Sequence, residues 1–192
     1  MNSLIRKILF IGVLIICSGC QTTEGQYSTG QNGPVDCANF RIQSVRSDLK
    51  PDRERSCWIS TAPTVEHVAT GYGRAFEADS SYMIVSLDIA GTNTMMKYRE
   101  PQAILRSFTV VNNEALDWED SQSVIVNNRT YKLAKYSLDK QRQSCIGFVN
   151  YGNSVQIGYR SILYGYSCMS STNGRMPEAA IVKDLEALRV RI

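Results

Sequence analysis

The sequence is short of the residues from which most catalytic and metal sites are built. Histidine occurs once, as His67. One imidazole cannot make a His-rich metal site, and a hydrolytic triad built on it would still need a motif serine or a free thiol beside it. Neither H-E-x-x-H, nor G-x-S-x-G, nor a P-loop occurs. Charge of one sign is lacking too: 21 Lys and Arg against 18 Asp and Glu leave a net +3. That is no clustered basic footprint of the kind nucleic-acid binders carry, and no polybasic membrane patch. The apolar run from Ile8 to Ile16 falls well short of the roughly 20 residues a spanning helix needs. These absences point to a protein with no metal, no cofactor, no nucleic-acid partner and no catalytic set.

What is present starts at the N-terminus. Arg6 and Lys7 precede the apolar run, and Ser18 and Gly19 supply small residues before Cys20, the layout of a secretory signal. The segment Cys17-Ser18-Gly19-Cys20 resembles the lipobox of bacterial lipoproteins, with Cys17 where that family prefers Leu. The resemblance implies cleavage before Cys20 and acylation of its thiol by membrane lipid. With Gln21 rather than Asp next in line, it also implies an outer-membrane lipid anchor, at the periplasmic face or the cell surface. Each buried methylene of the acyl chains is worth about 0.8 kcal/mol, so several chains together hold a protein there almost permanently. Loss of residues 1–19 removes two cations and no acid, bringing the net charge of +3 down to about +1.

The expected organisation is therefore a signal peptide over 1–19, a lipidated flexible tether over 20–34 and a single domain over 35–192. Residues 21–34, QTTEGQYSTGQNGP, are polar and rich in Gly, Ser and Thr, a composition that gives a flexible linker with a reach on the order of 20 Å. Once Cys17 leaves with the signal and Cys20 carries lipid, Cys37, Cys57, Cys145 and Cys168 remain. In an exported protein an even set reads as a disulfide framework with three connectivities open to it. Pairing Cys37 with Cys57 and Cys145 with Cys168 is preferred, since each bridge closes a loop of roughly 20 residues, worth about 3 kcal/mol in chain entropy. No two of the four have the close spacing of zinc ligands.

The fold class expected is α+β: a small, mainly antiparallel sheet, stapled by disulfides, with a C-terminal amphipathic helix packed on it. Residues 72–76 and 82–89 read as a hairpin with Met83, Val85, Leu87 and Ile89 on the core face. Gly91 to Lys97 reads as a loop whose Met95 and Met96 are packing residues rather than soft-metal ligands. Pro101 to Val111 is mixed, PQAIL favouring a short helix and FTVV a strand. Residues 123–126 and 130–138 form a hairpin about an Asn127-Asn128 turn, and two further strands bring Cys145 and Cys168 side by side. Glu178 to Leu188 is a helix with Ile181, Val182, Leu185 and Leu188 inward and Lys183, Asp184, Glu186 and Arg189 toward water. A short edge strand over 190–192 follows.

Chemistry is sparse along this chain. Ser47-Asp48-Leu49-Lys50 matches S-x-x-K without its companion motifs and reads as surface loop. Glu114, Asp117, Glu119 and Asp120 read as a solvated acidic turn with Trp118 tucked inward, since their spacing is not that of a calcium loop. A carboxylate pair such as Glu114 and Glu119 would serve glycan hydrolysis only if a cleft held them together. Tyr151, Tyr159, Tyr164 and Tyr166 are candidates for a ligand groove or carbohydrate platform, although strands are rich in Tyr in any case. The expectation is a noncatalytic, lipid-anchored envelope protein that interacts with membrane lipid through Cys20 and with another envelope protein. The alternatives are a ligand-binding module built on the tyrosine-rich sheet and, more weakly, a cell-wall glycan hydrolase.

Overall fold

A computed structural model describes residues 33–38, 40–46, 50–51, 57–63, 68–78, 81–112, 122–155 and 157–192. Before the first helix come β1 (Gly33–Pro34), β2 (Ile42–Ser44), β3 (Lys50–Pro51), β4 (Cys57–Pro63), β5 (Val68–Ala78) and β6 (Ser81–Ala90). Two short helices, α1 (Pro101–Leu105) and α2 (Thr109–Asn112), lead to β7 (Gln122–Val126), β8 (Arg129–Leu138), β9 (Gln143–Val155) and β10 (Gly158–Ser170). After a turn of 3-10 helix, α3 (Glu178–Ala187) and β11 (Leu188–Val190) follow.

Nine strands make one antiparallel sheet in the order β1-β4-β5-β6-β10-β9-β8-β7, with β3 beside β5; β11 and β2 pair separately. The sheet joins two meanders, β4 to β6 and β7 to β10, along the β6–β10 seam, where Leu163 faces Leu87 and Cys168 faces Tyr82. The expected α+β class holds, as does the hairpin about Asn127 and Asn128. Both asparagines sit at positive φ, 51° and 60°, the conformation a two-residue hairpin turn demands and asparagine tolerates. The bridges join Cys37 to Cys57 and Cys145 to Cys168. The second pair lies directly opposite on β9 and β10.

The sheet is covered on both sides, so its central strands read as continuous apolar runs rather than clean alternation. On one face Met83, Val85, Leu87, Phe148 and Leu163 pack beneath Phe40 and Ile42 and beneath Ile181, Leu185 and Leu188 at the α3–β11 end. On the other, Tyr136, Cys145, Val149, Tyr166 and Cys168 pack beneath Ile104 and Leu105 of α1 and Val111 of α2. Helix α1 can settle on β9 because Gly147 has no side chain: a Cβ there would lie 2.3 Å from Leu105 Cδ1. This second layer was not expected from the sequence.

Four local expectations are corrected. FTVV is not a strand: its Thr109 and the two valines form α2, and the Asn112 amide donates to the Phe108 carbonyl at 2.9 Å. Phe108 and Val111 both belong to the second core. Three residues apart, they share one face of a helix but would point oppositely from a strand. Gly33 and Pro34, expected at the end of a tether, pair with Ile59 and Trp58; proline is tolerated there because β1 is an edge. Lys50 and Pro51, expected in a surface loop, pair with Glu77 and Phe76.

The fourth correction concerns Asp184. It does not face water but is 4% exposed. Arg46 Nη1 donates to Asp184 Oδ1, and Ser167 Oγ donates to Oδ2 at 3.0 Å. A buried carboxylate must be paired and hydrogen-bonded, and here the pairing clamps α3 to β10 and to the segment after β2. A second buried ion, Arg74 on β5, reaches the Ile42 carbonyl at 2.5 Å and Gln43 Oε1 at 2.6 Å and lies 4.9 Å above the Phe76 ring. Burial lowers its pKa, and its neutral acceptors pin β2 onto the sheet.

Candidate functional site: a tyrosine ledge

Of the four nominated tyrosines, the fold brings two together. Tyr151 on β9 and Tyr159 on β10 have ring centroids 4.8 Å apart. Tyr98 completes the group, 5.0 Å from Tyr151 and 6.4 Å from Tyr159. Tyr166 is 1% exposed and belongs to the core, in edge contact with Phe108 at 5.0 Å. Tyr164 packs on the same Phe108 ring at 5.4 Å and lines a neighbouring cleft.

Tyr98 was missed from sequence, and nothing in its surroundings flags it. What delivers it is a backbone contact: Met96 N donates to the Tyr159 carbonyl at 2.8 Å and Tyr159 N donates to the Met96 carbonyl at 2.9 Å. The loop after β6 is thereby laid along the start of β10, and Met96 becomes a packing residue at 4% exposure. Gly158 permits the approach, since a Cβ there would lie 2.5 Å from the Met96 carbonyl oxygen. The Tyr151 hydroxyl then donates to the Arg99 carbonyl at 2.5 Å, and the Tyr98 hydroxyl to Glu100 Oε2 at 3.3 Å.

Both phenols are harder to ionise than free tyrosine. For Tyr151 burial is the main cause, followed by the nearby Tyr98 and Glu100; for Tyr98 it is again burial, then Glu100. Tyr98 and Tyr151 therefore present neutral rings with a polar rim, suited to stacking and hydrogen bonding rather than to proton transfer.

A cleft lies on either side of it. One, of about 340 Å³, runs between the sheet and α1, walled by Tyr98, Met96, Ile104, Ile162 and Tyr164. The Tyr164 hydroxyl donates to Asp88 Oδ2 at 3.2 Å at its edge. The other, of about 470 Å³, is walled by Tyr151 and Tyr159 and by Arg129, Lys132, Asn128 and Asn150 near the β7–β8 turn. Both volumes fall in the range of small-molecule sites, about 300–1,000 Å³. A third cleft, about 470 Å³, lies at the opposite ends of the strands, beside Glu77, Arg142 and Gln143.

Several other nominated residues lie outside the described ones: Cys20 with the signal and most of the tether, Ser47 to Leu49, His67, and the acidic segment with Glu114, Trp118 and Glu119. Among the described residues no group of three His, Cys, Asp or Glu is placed to hold a metal ion, and no helix is long and apolar enough to cross a membrane. The Ser167–Asp184 contact is no nucleophile arrangement, since the hydroxyl is 1% exposed and out of a substrate's reach.

The fold and ledge thus define a small, disulfide-stapled antiparallel α+β domain with an aromatic surface platform. Comparison with protein-family models, with curated proteins and with solved structures returned no match to this chain.

Proposed function

We propose that this chain is a noncatalytic, lipid-anchored component of the cell envelope, held at the outer membrane through Cys20, that binds a ligand on the Tyr98–Tyr151–Tyr159 ledge. The anchor rests on the lipobox resemblance at Ser18-Gly19-Cys20. The binding role rests on one observation: three phenol rings, with centroids no more than 6.4 Å apart, stand between two clefts. Concave walls on both sides favour a ligand that enters a groove over the flat apolar patch usual for a protein partner. An envelope protein as partner, the first expectation from the sequence, is here the second reading, carried by the lipobox resemblance and the expected tether alone.

Two measurements test this. Metabolic labelling with a clickable fatty acid should mark the wild-type chain and not Cys20→Ala; equal labelling of both would sink the anchor. An array of envelope glycans probed with the detergent-solubilised full-length protein should give signals that fall at least tenfold in Tyr98→Ala. Tyr98 is 49% exposed, so its removal leaves the core intact. Undiminished signals would refute the ledge.

A further inference from the structure

The larger of the two clefts at the ledge has a one-sided chemistry. Its charged lining side chains are Arg129 and Lys132, and no carboxylate side chain lines it. Lys132 is exposed and makes no ion pair among the described residues. Arg129 reaches the Tyr131 phenol rather than an acid. In a chain whose acids and bases nearly balance, a groove that also takes in Ile192 and whose charged side chains are both cations favours an anionic occupant.

The remaining lining is polar and directional. Asn150 is 8% exposed and donates its Nδ2 hydrogen to the Thr130 carbonyl at 2.9 Å. That bond fixes the amide, and its Oδ1 has no protein partner among the described residues. A carbonyl oxygen held in a fixed direction at the cleft wall is an acceptor for a ligand hydroxyl. Asn128, Thr130 and Ser154 add hydroxyl and amide groups around it. Tyr151 and Tyr159 provide a wall on which the C–H face of a pyranose can stack.

We propose that this cleft is the binding site for an acidic saccharide, with Arg129 and Lys132 meeting its carboxylates, Asn150 a ring hydroxyl and Tyr151 and Tyr159 a sugar face. The assignment rests on the ledge reading above and narrows its ligand from any envelope compound to a polyanionic glycan.

The test is calorimetric titration of the full-length lipoprotein in detergent micelles with a galacturonate hexamer, its carboxyl-reduced neutral counterpart, inorganic phosphate and a thymidine oligonucleotide. The acidic hexamer should bind at least tenfold more tightly than the neutral one. Lys132→Gln should weaken it by about tenfold, the loss of one charge-assisted hydrogen bond, and Tyr159→Ala, which removes a wall of the cleft, should weaken both sugars alike. Equal affinity for the two hexamers would overturn the acidic assignment while leaving the ledge in place. So would indifference to Lys132→Gln, displacement by equimolar phosphate, or an oligonucleotide that binds as tightly as the glycan. A charged hexamer that binds fully to Tyr159→Ala would instead overturn the ledge itself, and this assignment with it.

Discussion

Replacing Asp184 with alanine tests the reasoning about the buried network most directly. The carboxylate is 4% exposed, and its partners are the Arg46 guanidinium and the Ser167 hydroxyl, itself 1% exposed. Truncation leaves the Arg46 charge, whose side chain is 16% exposed, without this carboxylate and leaves the Ser167 hydroxyl with the Tyr82 carbonyl at 3.3 Å as its acceptor. Breaking a buried pair from one side costs about 3–5 kcal/mol. For a domain of this size each kcal/mol lowers Tm by roughly 2–4 °C, so a fall on the order of 6–20 °C is expected.

The double variant Arg46→Met, Asp184→Leu separates pair from packing. Exchanging both charges for apolar groups of similar volume is often neutral, so it should recover most of the loss, and a double-mutant cycle should return a coupling of several kcal/mol. Thermal and urea unfolding under oxidising conditions measures all of these variants. A loss below about 1 kcal/mol in Asp184→Ala would show the carboxylate to be solvated, as its place in a helical sequence pattern suggests.

Three further outcomes follow from the same structure. Gly147→Val places side-chain atoms where Leu105 Cδ1 now sits, 2.3 Å from a Cβ position, and should cost about 1–3 kcal/mol by overpacking, read from the urea midpoint. Replacing both Cys145 and Cys168 by alanine opens a loop of sequence separation 23 and should cost about 3 kcal/mol, measured by the same unfolding curves. The phenols of Tyr136, Tyr151, Tyr164 and Tyr166 are held above the ordinary tyrosine pKa, with burial the largest cause for each. Their neutral forms stabilise the folded state fully below the unfolded value near pH 10 and progressively less above it. Phenolate absorbance should therefore show these rings ionising together with alkaline unfolding; independent titration at pH 10 in folded protein would contradict the burial.

Much of this fold can be read from periodicity. The alternation in β6, the Asn127-Asn128 turn and the spacing of Ile181, Leu185 and Leu188 each follow from local rules, and each is seen. What periodicity hides is the second packed layer. In β6 the residues alternating with Met83 and Val85 are Tyr82, Ile84 and Ser86, which read as a solvent face, yet they are buried or half-buried beside the α1–α2 layer. Strands covered on both sides lose the polar signal that distinguishes in from out. Asp184 fails for a related reason: charge in a helix is a sign of exposure until a distant cation, here 138 positions away at Arg46, makes burial tolerable. For the site, Tyr151 and Tyr159 were nominated on composition, whereas Tyr98 depends on the Met96–Tyr159 backbone pair, a long-range contact no local pattern encodes.

The two-layer covering also accounts for where the ledge lies. With apolar clusters over both faces of the central strands, the concave surface passes to the strand ends, where the covering elements stop. The register puts the β9–β10 turn and the β7–β8 turn at one such end, because Gly158 pairs with Val155 and Arg129 with Val126 while Lys132 lies opposite Val149. The same register brings Tyr151, Tyr159, Arg129 and Lys132 into one cleft from three strands that are contiguous in the sheet. Such a site is built on paired backbone and needs little ordering on binding; the Tyr98 loop lies outside the strand ladder, held by one backbone bridge and the Tyr151–Arg99 hydrogen bond. Ligand affinity should accordingly be more sensitive to changes in that loop than overall stability is.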